Sequence, residues 1–206
     1  MKILASIACF AALISAPNSF AADPNITPQE RAQLVQLLKD SQSEFLHAVT
    51  GVTDEQWKWK PAPERWSVGE VAEHILLAEG MLFAKMQEAI GNPASPDWDT
   101  KTAGKTELIL KVLAPRLGKA KAPEDIEPRG DLTRAEIMSR FAQVRANTLR
   151  FASETKVPLK EHVAEHPFPI FNPLNAHQWL LYIPLHNQRH IKQIEEVKAT
   201  PGFPTK

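Results

Sequence analysis

Two histidines near the end of the chain have the spacing of a metal-ligand pair. His186 and His190 lie four residues apart in a stretch whose apolar pattern predicts a helix. Residues at positions i and i+4 stand one above the other on a helix face, so both imidazoles can point at one spot. A divalent ion could use them as two ligands, with a third protein ligand from elsewhere and a fourth position left to water or substrate. The chemistry of the pair therefore depends on a third ligand.

His74 is the main candidate for that third ligand. It lies with Val71 and Ile75 on the apolar side of a second predicted helix rather than on its solvated face. A single inward histidine is more often a hydrogen-bonded core residue than a ligand. One alternative is therefore that all three histidines merely pack a helical core, but the pair at His186 and His190 favours a ligand role for His74.

Three other histidines have simpler explanations than metal binding. His47 lies in the last turns of the first predicted helix, where a cationic side chain suits the helix dipole. His162 and His166 lie in a proline-rich link between residues 156 and 173, where we expect them to be exposed near the mouth of the site.

Several polar residues near the three histidines could support them. Glu70 lies one turn before His74 and could orient an imidazole or act as a base, although it also fits the capping box of Ser67. Asn187 and Gln193 are candidates to hydrogen-bond the ligating rings. A zincin-type protease would carry Glu where this chain has Asn187, so that mechanism is disfavoured.

Long amphipathic helices must position these residues. Three of them begin with a capping box and the fourth with Asn-Pro, and a long crossover separates the second from the third. In the crossover we expect only a helical turn or two. Four such helices predict an all-α fold, a four-helix bundle, where metal sites are commonly built from inward side chains of facing helices. The predicted helices run from Thr27 to about Thr50, Ser67 to about Ile90, Thr133 to about Glu154, and Asn172 to about Thr200.

The first 21 residues have the pattern of a secretory signal peptide. Lys2 precedes a short apolar run, and small residues follow at Ser19 and Ala21. Cleavage near Ala21 would release one domain, residues 22–206, to the periplasm or the exterior, without stable membrane insertion. The only cysteine, Cys9, would leave with the leader, so the site must use histidine, carboxylates and amides.

Charge excludes one class of partner. The chain has 24 Lys and Arg residues and 24 Asp and Glu residues, and its formal net charge is zero. A nucleic-acid footprint normally shows as a basic excess on one face. We therefore expect no nucleic-acid partner, and the charge implies no other partner.

These residues together resemble the DinB-like superfamily of metalloenzymes, which includes the YfiT-like hydrolases. The resemblance covers essentially the whole mature chain. It implies a down-up-up-down bundle in which His74 of the second helix and His186 and His190 of the fourth bind one divalent ion, usually nickel or zinc. This chain departs from cytoplasmic members in its signal peptide and its enlarged crossover. The matching segments are Trp59–Pro61, Trp66–Ile75, His186-x-x-x-His190 and Pro201–Pro204.

Two functional hypotheses of different class follow. The first is a divalent-metal-dependent enzyme, of hydrolase or thiol-dependent transferase type, acting on a small molecule in the periplasm. The second is a non-catalytic metal-binding protein of the same fold, which should saturate the ion through His47, Glu70 or a loop histidine. An enzyme should instead keep a water-bearing position that faces a pocket. The family resemblance is also compatible with a homodimer, and the sequence does not identify the oligomeric state.

Overall fold

The computed structural model describes residues 22–115 and 121–205, which form a bundle of four long helices. This confirms the predicted all-α, four-helix architecture, whereas the predicted signal peptide lies outside the described residues. In chain order the elements are α1 (Pro28–Val49), α2 (Asp54–Lys58), α3 (Val68–Gly91), α4 (Trp98–Lys101), α5 (Lys105–Val112), a 3-10 turn (Glu124–Ile126), α6 (Arg134–Glu154), β1 (Val163–Ala164), β2 (Leu174–Asn175) and α7 (Ala176–Lys198).

Each long helix begins at a complete capping box. The side chain of the cap residue accepts a hydrogen bond from the backbone three residues on, and the side chain there accepts one from the backbone of the cap. Two donors that the helix leaves unpaired are thereby satisfied at each start. The pairs are Thr27 with Glu30, Ser67 with Glu70, Thr133 with Glu136, and Asn175 with Gln178.

The start of α7 differs from the prediction. We expected the helix to open at Asn172-Pro173, but that peptide bond is cis, and β2 follows it. β2 pairs antiparallel with β1, Val163 lying opposite Asn175. Asn175 rather than Asn172 is the cap because Gln178 lies at the position that completes its capping box.

The crossover between α3 and α6 is more ordered than the predicted turn or two. It contains α4, α5 and the 3-10 turn, and Ile109 and Ile126 within it are buried. The carboxylate of Glu73 on α3 accepts hydrogen bonds from the backbone N–H groups of Arg129 (3.2 Å) and Gly130 (2.9 Å). The end of the crossover is therefore fixed to the helix that carries His74.

The core is organised around α7, which packs against α1, α3 and α5. Trp179 at its N-terminal end and Ile194 near its C-terminal end are both essentially fully buried. Phe45 of α1 and Phe141 of α6 pack with ring centroids 4.5 Å apart. Within residues 22–115 and 121–205, no helix has the length and apolar character needed to cross a membrane.

A layer of buried polar residues joins all four long helices. Arg145 of α6 and Glu79 of α3 are completely buried and form two hydrogen bonds of 2.8 Å. Arg145 also donates to Ser41 of α1 at 3.0 Å, and Asn187 of α7 donates to Glu79 at 2.9 Å. Thr148 of α6 completes the layer, with its hydroxyl 3.4 Å from the Glu79 carboxylate.

The packing of Trp57 on α3 yields a stability prediction. A Cβ atom at Gly69 would lie only 2.3 Å from the indole Nε1 of Trp57, which is buried. Because Trp57 must then move out of its site, Gly69→Ala should destabilise the fold by about 2 kcal/mol and lower Tm by about 5 °C. Thermal unfolding followed by circular dichroism measures the change.

Gly80 provides the matched control on the same helix. It is exposed, and a Cβ there would have nothing within 4 Å. Gly80→Ala should therefore stabilise the protein by about 0.5 to 1 kcal/mol through helix propensity alone. Equal shifts of Tm for the two variants would contradict this prediction, because they would show that Trp57 does not need the space left by the absence of a side chain at Gly69.

Candidate metal centre

The structure brings the three predicted histidines together. His74 comes from the first half of α3, and His186 and His190 come from successive turns of α7. One ring nitrogen of each lies within 4.8 Å of the others, and the Nε2 atoms of His74 and His190 are 3.2 Å apart. In the part of the chain that the structure describes, these three residues form the group of His, Cys, Asp and Glu side chains able to hold a metal ion.

The crossover orients the ring of His74. Its Nδ1 lies 2.7 Å from the backbone carbonyl of Ile126. A carbonyl oxygen only accepts hydrogen bonds, so Nδ1 must carry the proton and, in the neutral ring, Nε2 has a lone pair. Burial lowers the pKa of His74, and the Ile126 hydrogen bond opposes that effect only in part. The His74 ring is therefore neutral and presents the lone pair of Nε2, which can bind a metal ion.

Gln193 orients His190 in the same way. The Nδ1 atom of His190 lies 2.9 Å from the side-chain oxygen of Gln193, one turn further along α7. With Nδ1 donating to that oxygen, Nε2 has a lone pair in the neutral form of His190. The structure thus places Gln193 as the hydrogen-bond partner of one of the three clustered rings. Asn187, the other candidate for that role, instead donates to Glu79 in the buried polar layer.

The donor set fits a divalent cation. Two lone pairs facing each other at 3.2 Å repel unless a positive charge is shared between them. Two nitrogens bound to one tetrahedral zinc at its usual bond length of about 2.0–2.1 Å lie roughly 3.3 Å apart. The separation of His74 and His190 is therefore that of two ligands on one ion.

His186 is the third donor. Burial, together with the neighbouring His190, His74 and Arg189, lowers the pKa of His186 well below 6.5, so the ring is neutral at pH 7. The neutral imidazole is the form that binds metal. Its Nδ1 atom is buried and has no hydrogen-bond partner among the described residues.

A cavity of about 710 Å³ adjoins the three histidines. Two aromatic rings flank them: Trp66 lies 4.8 Å from His74, and Tyr182 stacks on His186 at 6.1 Å, as measured between ring centroids. Burial raises the pKa of Tyr182 to about 12, so its phenol stays protonated at neutral pH. The cavity is thus a mainly apolar pocket beside a cluster of three imidazole rings. Its apolar lining includes Trp66, Val112, Leu113, Phe168, Ile170 and Phe171.

Glu70 does not join the site. One of its carboxylate oxygens accepts a hydrogen bond from the backbone N–H of Ser67 at 2.7 Å, and the other accepts a hydrogen bond from Lys60 Nζ at 2.9 Å. Its capping role therefore prevails over the catalytic role that its spacing to His74 suggested. His47 is likewise outside the cluster and exposed at the end of α1.

The loop histidines also lie outside the cluster. His162 contacts the backbone carbonyl of Asn92 through Nδ1 at 2.8 Å. The expectation that His166 is exposed was wrong: only 6% of its surface is accessible, and its ring stacks on Trp179 at 4.9 Å. An aromatic cluster at the start of α7, to which Phe171 and Tyr182 also belong, buries this imidazole among other rings.

Sequence reasoning did not find the carbonyl of Ile126 or the ring of Tyr182. A backbone carbonyl has no residue-type signal, and its position follows from the path of the crossover. Tyr182 did have a signal, because it lies four residues before His186 and so shares its helix face.

Comparison with known proteins identifies similar chains. The family model of the DinB superfamily matches residues 37–194. An uncharacterized protein, YuaE of Bacillus subtilis (strain 168), is 28% identical over 164 residues, which cover 79% of this chain and 95% of YuaE. The solved structure of YfiT from Bacillus subtilis, described as a probable metal-dependent hydrolase with an unusual four-helix bundle topology, aligns with a TM-score of 0.55 and 14% identity, covering 84% of this chain and 89% of YfiT. At that identity the likeness to YfiT shows a shared fold.

The burial of His166 predicts acid lability. Burial lowers the pKa of His166 to about 4, and the positive charges of Lys105 and Lys85 act in the same direction. The backbone N–H of Phe168 donates to Nδ1, a bond that only an unprotonated nitrogen can accept. Between about pH 6.5 and pH 4 the unfolded chain binds a proton at this site and the folded chain does not. The free energy of unfolding should therefore fall by about 2 to 3 kcal/mol as the pH drops through this range.

Urea denaturation with chelator present, at pH values from 7 to 4.5, measures this loss. His166→Phe keeps an aromatic ring against Trp179 but has no proton to bind, so its stability should decline less steeply than that of the wild type. His177, whose pKa burial also lowers to about 4, contributes equally to both proteins. Parallel declines for wild type and His166→Phe would contradict the assignment, and the exposed His47→Gln variant is the control.

Proposed function

The chain belongs to the DinB superfamily, and we propose that it is a metal-dependent hydrolase acting on a small molecule at the three-histidine site. The observation that carries this proposal is the facing pair of Nε2 lone pairs on His74 and His190, with His186 beside them at the edge of a cavity. The description of YfiT as a probable metal-dependent hydrolase supports the same class of reaction.

The residues of the chain prepare this site in two ways. The Ile126 carbonyl and Gln193 fix the protonation of His74 and His190, so that both present Nε2. The neutral ring of His186 provides the third nitrogen. His74, His186 and His190 would hold a divalent ion, which would supply Lewis-acid chemistry for activating water or polarising a carbonyl group.

Other residues in the cavity wall act on the substrate. Tyr182, with its protonated phenol beside His186, donates a hydrogen bond to a substrate oxygen. Among the described lining residues, Glu64 and Glu127 are the carboxylates that can accept a proton from water.

The adjoining cavity favours an enzyme over a non-catalytic metal binder. A saturated site needs a fourth protein donor, and the candidates for that role, His47, Glu70, His162 and His166, lie outside the cluster. Three donors beside a cavity leave one position of a tetrahedral ion to water or substrate.

We propose nickel or zinc as the metal, because imidazole nitrogen suits both ions and the resemblance to DinB-like proteins points to them. The same three donors also suit capture of a thiolate, the chemistry of a thiol-dependent transferase. A requirement for an added low-molecular-weight thiol in the assays below distinguishes that reaction from hydrolysis.

We also propose that the protein works outside the cytoplasm, on the support of the basic residue, apolar run and small residues within positions 1–21. Expressed with its own start in a Gram-negative host, the chain should appear in the periplasmic fraction as a shortened product. Leu4→Arg/Ile7→Arg, which interrupts the apolar run, should keep it full-length in the cytoplasm. A full-length wild-type product confined to the cytoplasm would contradict export.

Metal content and ester hydrolysis should both depend on the cluster of His74, His186 and His190. The protein purified without chelator should contain about one equivalent of nickel or zinc by mass spectrometry and hydrolyse members of a p-nitrophenyl ester series. His186→Ala/His190→Ala should lose the metal and at least about 100-fold in kcat/KM, because the ion supplies several kcal/mol of transition-state stabilisation.

His47→Ala/His162→Ala is the matched control, since it also removes two histidines but leaves the cluster intact. It should keep both metal and activity. Dialysis of the wild type against a chelator should abolish hydrolysis, and added metal should restore it. One equivalent of bound metal without metal-dependent turnover of any ester would favour a non-catalytic metal-binding protein.

A further inference from the structure

The rim of the cavity carries exposed apolar side chains. Within the described residues, three large hydrophobic side chains stand more than a third exposed: Leu46 at 39%, Phe168 at 40% and Ile170 at 60%. Leu46 lies on α1 and is not part of the cavity wall. Phe168 and Ile170 lie in the loop before β2, and both line the cavity. Exposed apolar surface in a ligand pocket marks where an apolar part of the ligand binds.

The loop that presents these two side chains is firmly held. Phe168 donates its backbone N–H to His166 Nδ1 at 3.0 Å, and the His166 ring stacks on Trp179. Phe171 donates its backbone N–H to the carbonyl of Phe168 at 2.9 Å and packs edge-on against Tyr182. The exposed side chains of Phe168 and Ile170 therefore belong to an ordered surface.

A continuous apolar path joins this rim to the histidines. Tyr182 contacts both His186 and Phe171, with ring centroids 6.1 and 5.7 Å apart. Phe171 is buried, belongs to the same loop as Phe168 and Ile170, and lines the same cavity. A molecule with its polar head at the histidines has an apolar surface to follow towards the rim.

Resting on the proposed metal-dependent hydrolase, we infer that the substrate is an ester or amide with an apolar acyl group. Its carbonyl lies at the three-histidine site, and its acyl body lies along Tyr182 and Phe171 against Phe168 and Ile170. Short polar acyl groups leave the rim uncovered and bind less tightly, because they bury no apolar surface there.

Hydroxamic acids test this inference without turnover, because the head group chelates the metal and the acyl chain can be lengthened. Acetohydroxamate, butyrohydroxamate and hexanohydroxamate are titrated calorimetrically into the full chain loaded with zinc. Kd should fall about threefold to fourfold for each added methylene group. Ile170→Ser and, separately, Phe168→Ser should flatten this dependence while keeping the Kd of acetohydroxamate, and the equally exposed Leu46→Ser should leave the whole series unchanged.

The possible results distinguish a failure of the apolar acyl site from a failure of the proposed metal-dependent hydrolase. Binding of all three hydroxamates with one Kd would overturn the apolar acyl site and leave the metal site standing. Absence of acetohydroxamate binding to the zinc-loaded protein would overturn both. A chain-length dependence unchanged by either rim variant, with sedimentation showing that the variants dissociate a dimer, would assign the rim to an interface between two copies and overturn the inference.

Discussion

The arrangement of the bundle depends on the buried ion pair between Arg145 and Glu79. Removing either charge from water costs several kcal/mol unless its partner and its remaining hydrogen bonds are in place. Ser41, Thr148 and Asn187 supply those bonds, and the five residues come from all four long helices. Sliding one helix along the others would leave a buried charge without a partner, so this layer fixes their register.

That register places the histidines. Asn187 is adjacent to His186 on α7, and Glu79 follows His74 on α3. The hydrogen bond between Asn187 and Glu79 therefore joins the two helices that carry the three histidines. The final orientation of His74 comes from outside the helices, through the carbonyl of Ile126. The crossover is therefore part of the site. The Glu73 carboxylate holds the end of the crossover through two backbone hydrogen bonds, so the position of the Ile126 carbonyl depends on the folding of this segment.

The sequence predicted the parts of this structure that depend on local spacing. Capping boxes located the starts of α1, α3 and α6, and helical periodicity brought His186, His190 and His74 to one point. The start of α7 was misplaced because Asn172-Pro173 has the local signature of a helix start, whereas strand pairing with residues 163 and 164 is a long-range contact. His166 was misjudged for a similar reason, since its aromatic partners lie on α7 and in the loop around it.

The crystal structure of the protein with one equivalent of zinc, with anomalous differences recorded at the zinc edge, tests whether the three histidines form a catalytic metal centre. We predict one anomalous peak bonded to nitrogens of His74, His186 and His190, with the fourth position open to the cavity and held by water. A peak elsewhere, or a fourth protein donor that closes the coordination shell, would contradict a catalytic metal centre at these three histidines.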